Sequence, residues 1–121
     1  MVKTLQEYSL AELMARIEQI FNENPGPIQG FNAVVQYEVT DQVPSTYQHF
    51  FQDGKLTIKE GVEVIPTVAL TLNYDTFKKF VLCKMSGSMA LLLGKVKVKG
   101  DVGTGFKIES ILKKYNLKEP L

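Results

Sequence analysis

In the stretch Lys95-Val96-Lys97-Val98-Lys99, lysine and valine alternate without a break. Successive side chains of a strand point to opposite faces, so the segment shows valine to one side and lysine to the other. The same alternation recurs upstream. In Phe31–Thr40, the residues Phe31, Ala33, Val35, Tyr37 and Val39 oppose Asn32, Gln36, Glu38 and Thr40, with Val34 the one exception. Leu56 and Ile58 share a face of Lys55–Lys59, and Val68, Leu70 and Leu72 share a face of Thr67–Leu72. A sheet built from such strands can be covered on one face only, because a parallel sheet buried on both faces reads as continuous apolar runs. The pattern predicts an α+β fold in which a mostly antiparallel sheet has its helices on one face and solvent on the other.

Helical spacing separates and flanks these strands. Ser9-Leu10-Ala11-Glu12 has the form of a capping box, followed by an apolar stripe of Leu10, Leu13, Met14, Ile17, Ile20 and Phe21 that Asn24-Pro25-Gly26-Pro27 stops. Thr46–Gln52 reads as a strand, and Asp53-Gly54 as the hairpin turn joining it to Lys55–Lys59. With Phe31–Thr40 these form an antiparallel meander. From Asn73 or Asp75 onward, Tyr74, Phe77, Phe80, Val81 and Met85 group on one side of a helix and Lys78 and Lys79 on the other. Cys83 falls within it as a small hydrophobe. Met89, Leu92 and Leu93 form a short second stripe before the lysine-valine strand. Gly94 and Gly100 bracket that strand, and Asp101 is placed to cap a last helix carrying Ile108, Ile111, Leu112 and Tyr115 inward and Lys107, Glu109, Lys113 and Lys114 toward water.

A chain of 121 residues is expected to form one domain over 1–121, long enough to bury a core without a metal or disulfide. The one cysteine has no internal partner. With 14 basic and 13 acidic residues the net charge is +1, which provides no global field for nucleic acid. The start, MVKTLQEYSL, lacks a signal-peptide core, and the longest apolar run, Met89–Leu93, is far below a membrane span. A soluble, cytoplasmic protein is expected. The only histidine, His49, offers no histidine-pair metal site, and no catalytic triad assembles. Gly103-Thr104-Gly105 starts like a dinucleotide-binding fingerprint, but Ile108 stands where its third glycine belongs. No catalytic residue, metal or cofactor is expected from these residues. Lys95, Lys97 and Lys99 offer transient contact with an anionic membrane surface, although lysine is also the usual guard of a sheet edge. Met14, Met85 and Met89 with Phe77 and Phe80 suit a wall that accommodates varied apolar shapes, or an ordinary core, and composition does not separate the two.

The run from Gly94 through Lys95-Val96-Lys97-Val98-Lys99 to Gly100-Asp101-Val102-Gly103, with Lys107-Ile108 downstream, resembles the glycine-lysine strand, Gly-Asp turn and closing helix of the sterol carrier protein 2 (SCP-2) sterol-transfer domain family. Asp75-Thr76-Phe77 and Lys84-Met85 are similar to the family's preceding helix and loop, and the resemblance covers almost the whole chain. It implies a non-enzymatic domain whose helices and five-stranded sheet enclose an apolar tunnel for fatty acyl chains, acyl-CoA, sterols or other lipids. By position the walls would be Phe77, Phe80, Val81, Met85, Met89, Leu92, Ile108, Ile111 and Leu112. Two departures stand out. Ser86-Gly87 replaces the Asn-Pro step that many members have after Lys-Met. Glu119-Pro120-Leu121 lacks the small and basic residues of a peroxisomal address, so a stand-alone cytoplasmic protein is expected. The rival reading is an accessory module of the same fold that supports lipid or quinone metabolism through a protein partner.

Overall fold

The capping box opens the first helix as the sequence predicts. Ser9 Oγ accepts from Glu12 N at 3.2 Å, and Glu12 Oε1 accepts from Ser9 N at 3.1 Å, which satisfies two of the free amides of α1 (Leu10–Glu23). The computed structural model describes residues 8–115 and residue 117. After a single 3-10 turn at Gly26–Ile28 come β1 (Ala33–Val39), β2 (Thr46–Gln52), β3 (Lys55–Glu60) and β4 (Val68–Leu72). The helices α2 (Tyr74–Val81) and α3 (Gly87–Leu92) precede β5 (Val96–Gly100), and α4 (Val102–Tyr115) closes the chain.

The five strands lie in the order β3-β2-β1-β4-β5. Neighbours pair antiparallel except β1 and β4, which are parallel, so the sheet is mixed and mostly antiparallel. Register sets the two faces. Tyr37 stands beside Tyr47 and Leu70, and Leu70 beside Val98, which aligns the apolar positions on one inner face. The turn at Asp53-Gly54 has φ of +54° and +73°, the positive pair of a type I′ hairpin that matches strand twist.

Aromatic contacts join α1 and α2 to the inner face and α4 to α1. Phe21 of α1 reaches Phe51 at 6.2 Å between centroids and stacks on Tyr115 of α4 at 4.0 Å. Phe77 of α2 sets its ring edge-on to Tyr37 at 5.1 Å. His49 lies in this core, 4% exposed, with its ring against Tyr37 and Nε2 at 3.1 Å from Met14 Sδ. A thioether sulfur only accepts, so Nε2 carries the proton of a neutral ring. Burial holds its pKa down at about 3.

Both sheet edges are managed. Along β3, Asn22 of α1 exchanges hydrogen bonds with the Leu56 backbone at 2.8 and 2.9 Å, and Glu18 accepts from Ile58 N at 2.6 Å. These side chains occupy backbone groups that an intruding strand would need. The opposite edge is β5, where Lys97 and Lys99 are exposed.

Three details depart from the sequence expectations. The outer face does not simply meet solvent, because the connection from β3 to β4 crosses it. There Gln48 is wholly buried and accepts from the amides of Glu63 and Val64 while donating to Val64 O and Gln36 Oε1. The helix expected to reach Met85 ends at Val81. Lys84 N donates to Lys79 O and Cys83 N to Phe80 O, a Schellman closure that puts Cys83 at φ +58°, exposed instead of within a helix. Glu109, expected to face water, is 9% exposed.

The turn from β5 into α4 is fixed by two adjacent residues. Gly100 has φ +99°, and a Cβ there would stand 2.6 Å from Thr67 O, the same oxygen that accepts from Asp101 N at 2.9 Å. Only glycine fits this approach. Asp101 then caps α4, with Oδ1 accepting from Gly103 N at 3.1 Å and Oδ2 from Thr104 Oγ at 2.6 Å. Asp101→Ala is expected to lower stability by about 0.5–2 kcal/mol. Urea unfolding at neutral pH checks this, and an unchanged midpoint would mean that the cap is dispensable.

Candidate functional site

Between the β4–β5 end of the sheet and the helices α2, α3 and α4 lies a cavity of about 40 Å³. Its floor is the inner face of the sheet edge, where Leu70 and Leu72 of β4 sit beside Val98 and Val96 of β5. The alternation read in Lys95–Lys99 supplies this floor. Thr76 and Phe80 of α2 form one wall. Asn73 accepts from Thr76 N at 2.8 Å, and this cap sets the first turn of α2 and the position of Thr76.

The roof comes from the segment after α2. Met85, Gly87, Ala90 and Leu91 border the cavity, and Ser86 caps α3 by accepting from Met89 N at 3.1 Å. Helix α3 buries only Ala90. The last wall is Val102, Gly105, Phe106 and Glu109 of α4, a spacing of three, four and seven that lies along one side of a helix. Leu91, Val102 and Phe106 are each about two-fifths exposed and stand at the rim.

Ser86-Gly87 acquires a physical role here. A Cβ on Gly87 would lie 2.8 Å from Glu109 Oε1 and 3.9 Å from Phe106 Cε1. The missing side chain is the space that the Glu109 carboxylate occupies. Cys83, just before this loop, has its thiol pushed up chiefly by burial, with Lys113 opposing and Glu109 adding to the shift. A raised thiol is a poor nucleophile at neutral pH. Among the described residues, no group of three or more His, Cys, Asp or Glu side chains is placed to hold a metal ion.

Of the wall residues named from the sequence, the structure brings Phe80 and Met85 to this cavity. Phe77, Val81, Ile108, Ile111 and Leu112 belong to the packed core cluster behind it. Met89 and Leu92 point outward from α3, 48% and 81% exposed. Sequence reading passed over Thr76, Val102, Phe106 and Glu109 as lining residues. The signal available was Val102 and Phe106, four apart at the start of α4, a second apolar stripe one face round from Ile108 and Leu112.

The model of the SCP-2 sterol transfer family matches residues 13–113. The chain belongs to this family. It is similar to the hydroxysteroid dehydrogenase-like protein 2 of Xenopus tropicalis, at 26% identity over 96% of this chain and 28% of that one. The chain thus spans about a quarter of the length of the curated relatives it matches. Among solved structures, the sterol carrier protein domain 2 of Helicoverpa armigera superposes with a TM-score of 0.73 at 15% identity, covering 100% of this chain and 99% of that one. Palmitated SCP2L2 from Aedes aegypti superposes with a TM-score of 0.65 at 19% identity, covering 87% and 95%. These likenesses show the SCP-2 fold. In this SCP-2 domain the cavity lies at the β5 edge of the sheet, next to the residues that first suggested the family.

Proposed function

We propose that this domain binds a long apolar ligand, of the fatty acyl or similar lipid class, between the β4–β5 floor and helices α2 to α4, and carries it between membranes. The observation that carries this reading is the apolar cavity roofed by a helix that is scarcely anchored. Lipid binding is the general property of the family, and the palmitated state of the Aedes aegypti protein of this fold supports an acyl chain as ligand. Ligand pockets usually measure about 300–1,000 Å³, so the cavity of about 40 Å³ is a closed state. Because α3 buries one alanine, its outward displacement gives up little apolar burial, and the roof is where expansion costs least.

The face around that roof suits a bilayer. Met89, Leu91, Leu92, Leu93, Val102 and Phe106 are all exposed large apolar side chains. The adjoining edge carries Lys95, Lys97 and Lys99, also exposed. Apolar side chains that enter the headgroup boundary beside lysines that meet anionic lipid make a surface-docking arrangement, each lysine worth about 1 kcal/mol near the membrane. No helix among the described residues is long and apolar enough to cross a membrane. The same exposed apolar face favours a second reading, an accessory module that holds a protein partner.

One experiment tests the carrier reading. Delipidated protein is offered a panel of fatty acids, acyl-CoA, fatty alcohols and sterols below their critical micelle concentrations, and donor-to-acceptor lipid transfer is followed with anionic and with zwitterionic vesicles. Binding raises the melting temperature, by the equivalent of about 2.7 kcal/mol at a hundredfold excess over Kd. Transfer is faster to anionic vesicles and slows when Lys95, Lys97 and Lys99 are changed to Gln. Absence of any thermal shift and of any transfer across the panel would sink the carrier reading and leave the partner module.

A further inference from the structure

Two polar side chains interrupt the apolar wall of the cavity. Thr76 is 3% exposed and Glu109 is 9% exposed. Among the described residues, neither Thr76 Oγ nor the Glu109 carboxylate has a hydrogen-bond partner, and no lysine stands within ion-pair distance of Glu109. Their oxygens are not sealed in the interior either, since the one sealed and partnerless side-chain atom among these residues is the Tyr47 hydroxyl. The Thr76 hydroxyl and the Glu109 carboxylate therefore retain accessible surface, and both residues line the same cavity. Gly87 leaves open the space in which Glu109 Oε1 lies, between α3 and α4.

The Glu109 carboxylate has no donor among the described residues, and against this largely apolar wall a ligand that supplies one is favoured over a ligand that does not. A carboxylate only accepts, whereas a hydroxyl donates and accepts. A ligand seated against these two groups must bring a donor. The ionised head of a fatty acid brings none and adds a second negative charge beside Glu109.

We propose that Glu109, assisted by Thr76, makes this cavity selective for long-chain ligands with a hydroxyl head over the corresponding carboxylates, with Glu109 accepting a hydrogen bond from the ligand O–H. This rests on the lipid-binding reading and names the ligand class within it. Acyl chain length and saturation are read by the apolar walls. The head is read by Glu109 and Thr76.

The test uses the full chain, delipidated, at neutral pH, and follows displacement of a neutral solvatochromic dye by 1-hexadecanol and by palmitate. These probes share one chain length and differ at the head. The expected result is that 1-hexadecanol binds the parent roughly ten- to a hundredfold more tightly than palmitate, the range of a hydrogen bond to a charged group. Glu109→Gln, which keeps size and an acceptor but removes the charge, should collapse that ratio by strengthening palmitate. Thr76→Val should weaken 1-hexadecanol and leave palmitate unchanged. Equal or tighter palmitate binding by the parent, or a ratio that Glu109→Gln does not move, overturns the proposal while leaving lipid binding intact. Failure of both lipids to displace the dye overturns the lipid-binding reading and this proposal together.

Discussion

Lowering the pH from 7 to 4 is expected to remove about 3 kcal/mol of stability through His49 alone. The ring is buried against Tyr37 and Met14, and its pKa falls from an ordinary 6.5 to about 3 in the folded protein. Between those two values the unfolded chain takes up a proton that the folded chain refuses. Stability from this group is therefore complete above about 6.5 and lost progressively as the pH falls toward 3, at about 1.4 kcal/mol per pH unit. Other acid-sensitive groups, such as Asp75, whose carboxyl is held down by Lys79, titrate in parent and variant alike. Urea unfolding of the parent and of His49→Leu at several pH values between 7 and 4 isolates the His49 contribution as a difference. Any advantage of the parent over the variant should shrink, and any deficit grow, steadily on acidification. Parallel pH curves would show that His49 is protonated in the fold or reaches solvent.

Phe77→Ala is expected to destabilise the ligand-free protein by about 3–5 kcal/mol, as for other buried aromatic truncations. Phe77 is 0% exposed, packs edge-on against Tyr37, and lies behind the cavity, not on its lining. Its removal leaves a void that the sheet and α2 cannot close by small shifts. Leu92→Trp, at a position 81% exposed, should by contrast alter stability by no more than about 0.5 kcal/mol. The pair separates packing from ligand lining for residues that the family resemblance placed together. Thermal unfolding of delipidated protein gives the first readout and lipid affinity the second. A Phe77→Ala protein that keeps its melting temperature but loses acyl binding would return Phe77 to the ligand wall. A large loss of stability in Leu92→Trp would mean that α3 is anchored far more tightly than its single buried alanine suggests.

Much of this fold is legible in the sequence because it depends on contacts within a few residues. The capping box at Ser9, the hairpin at Asp53-Gly54, the strand alternation and the Asp101 cap are each decided by backbone geometry over two to five positions, and each has its expected form in the structure. The placement of the helices on one face follows as well, since alternation fixes which residues can share a face. Val96 and Val98, read as the dry side of one strand, are the cavity floor.

Tertiary structure alone decided the rest, because it depends on how far apart elements come to lie. Helical periodicity reports that a side chain faces inward, but a packed neighbour and an empty space look alike to that signal. Thus Ile108 and Leu112 meet the core while Val102 and Phe106, on the same helix, meet the cavity. Gln48 occupies a position that alternation assigns to solvent, and it is buried only because a connection from a distant strand crosses above it. Helix α2 is closed at Cys83, a residue with no terminating character of its own, by bonds from Cys83 N to Phe80 O and from Lys84 N to Lys79 O. Glu109 is a surface residue by composition and becomes a cavity residue because Gly87, twenty-two positions earlier, leaves room for its carboxylate. Charge and pattern along a chain are local quantities, whereas burial is a property of the assembled volume, and only the folded protein sets it.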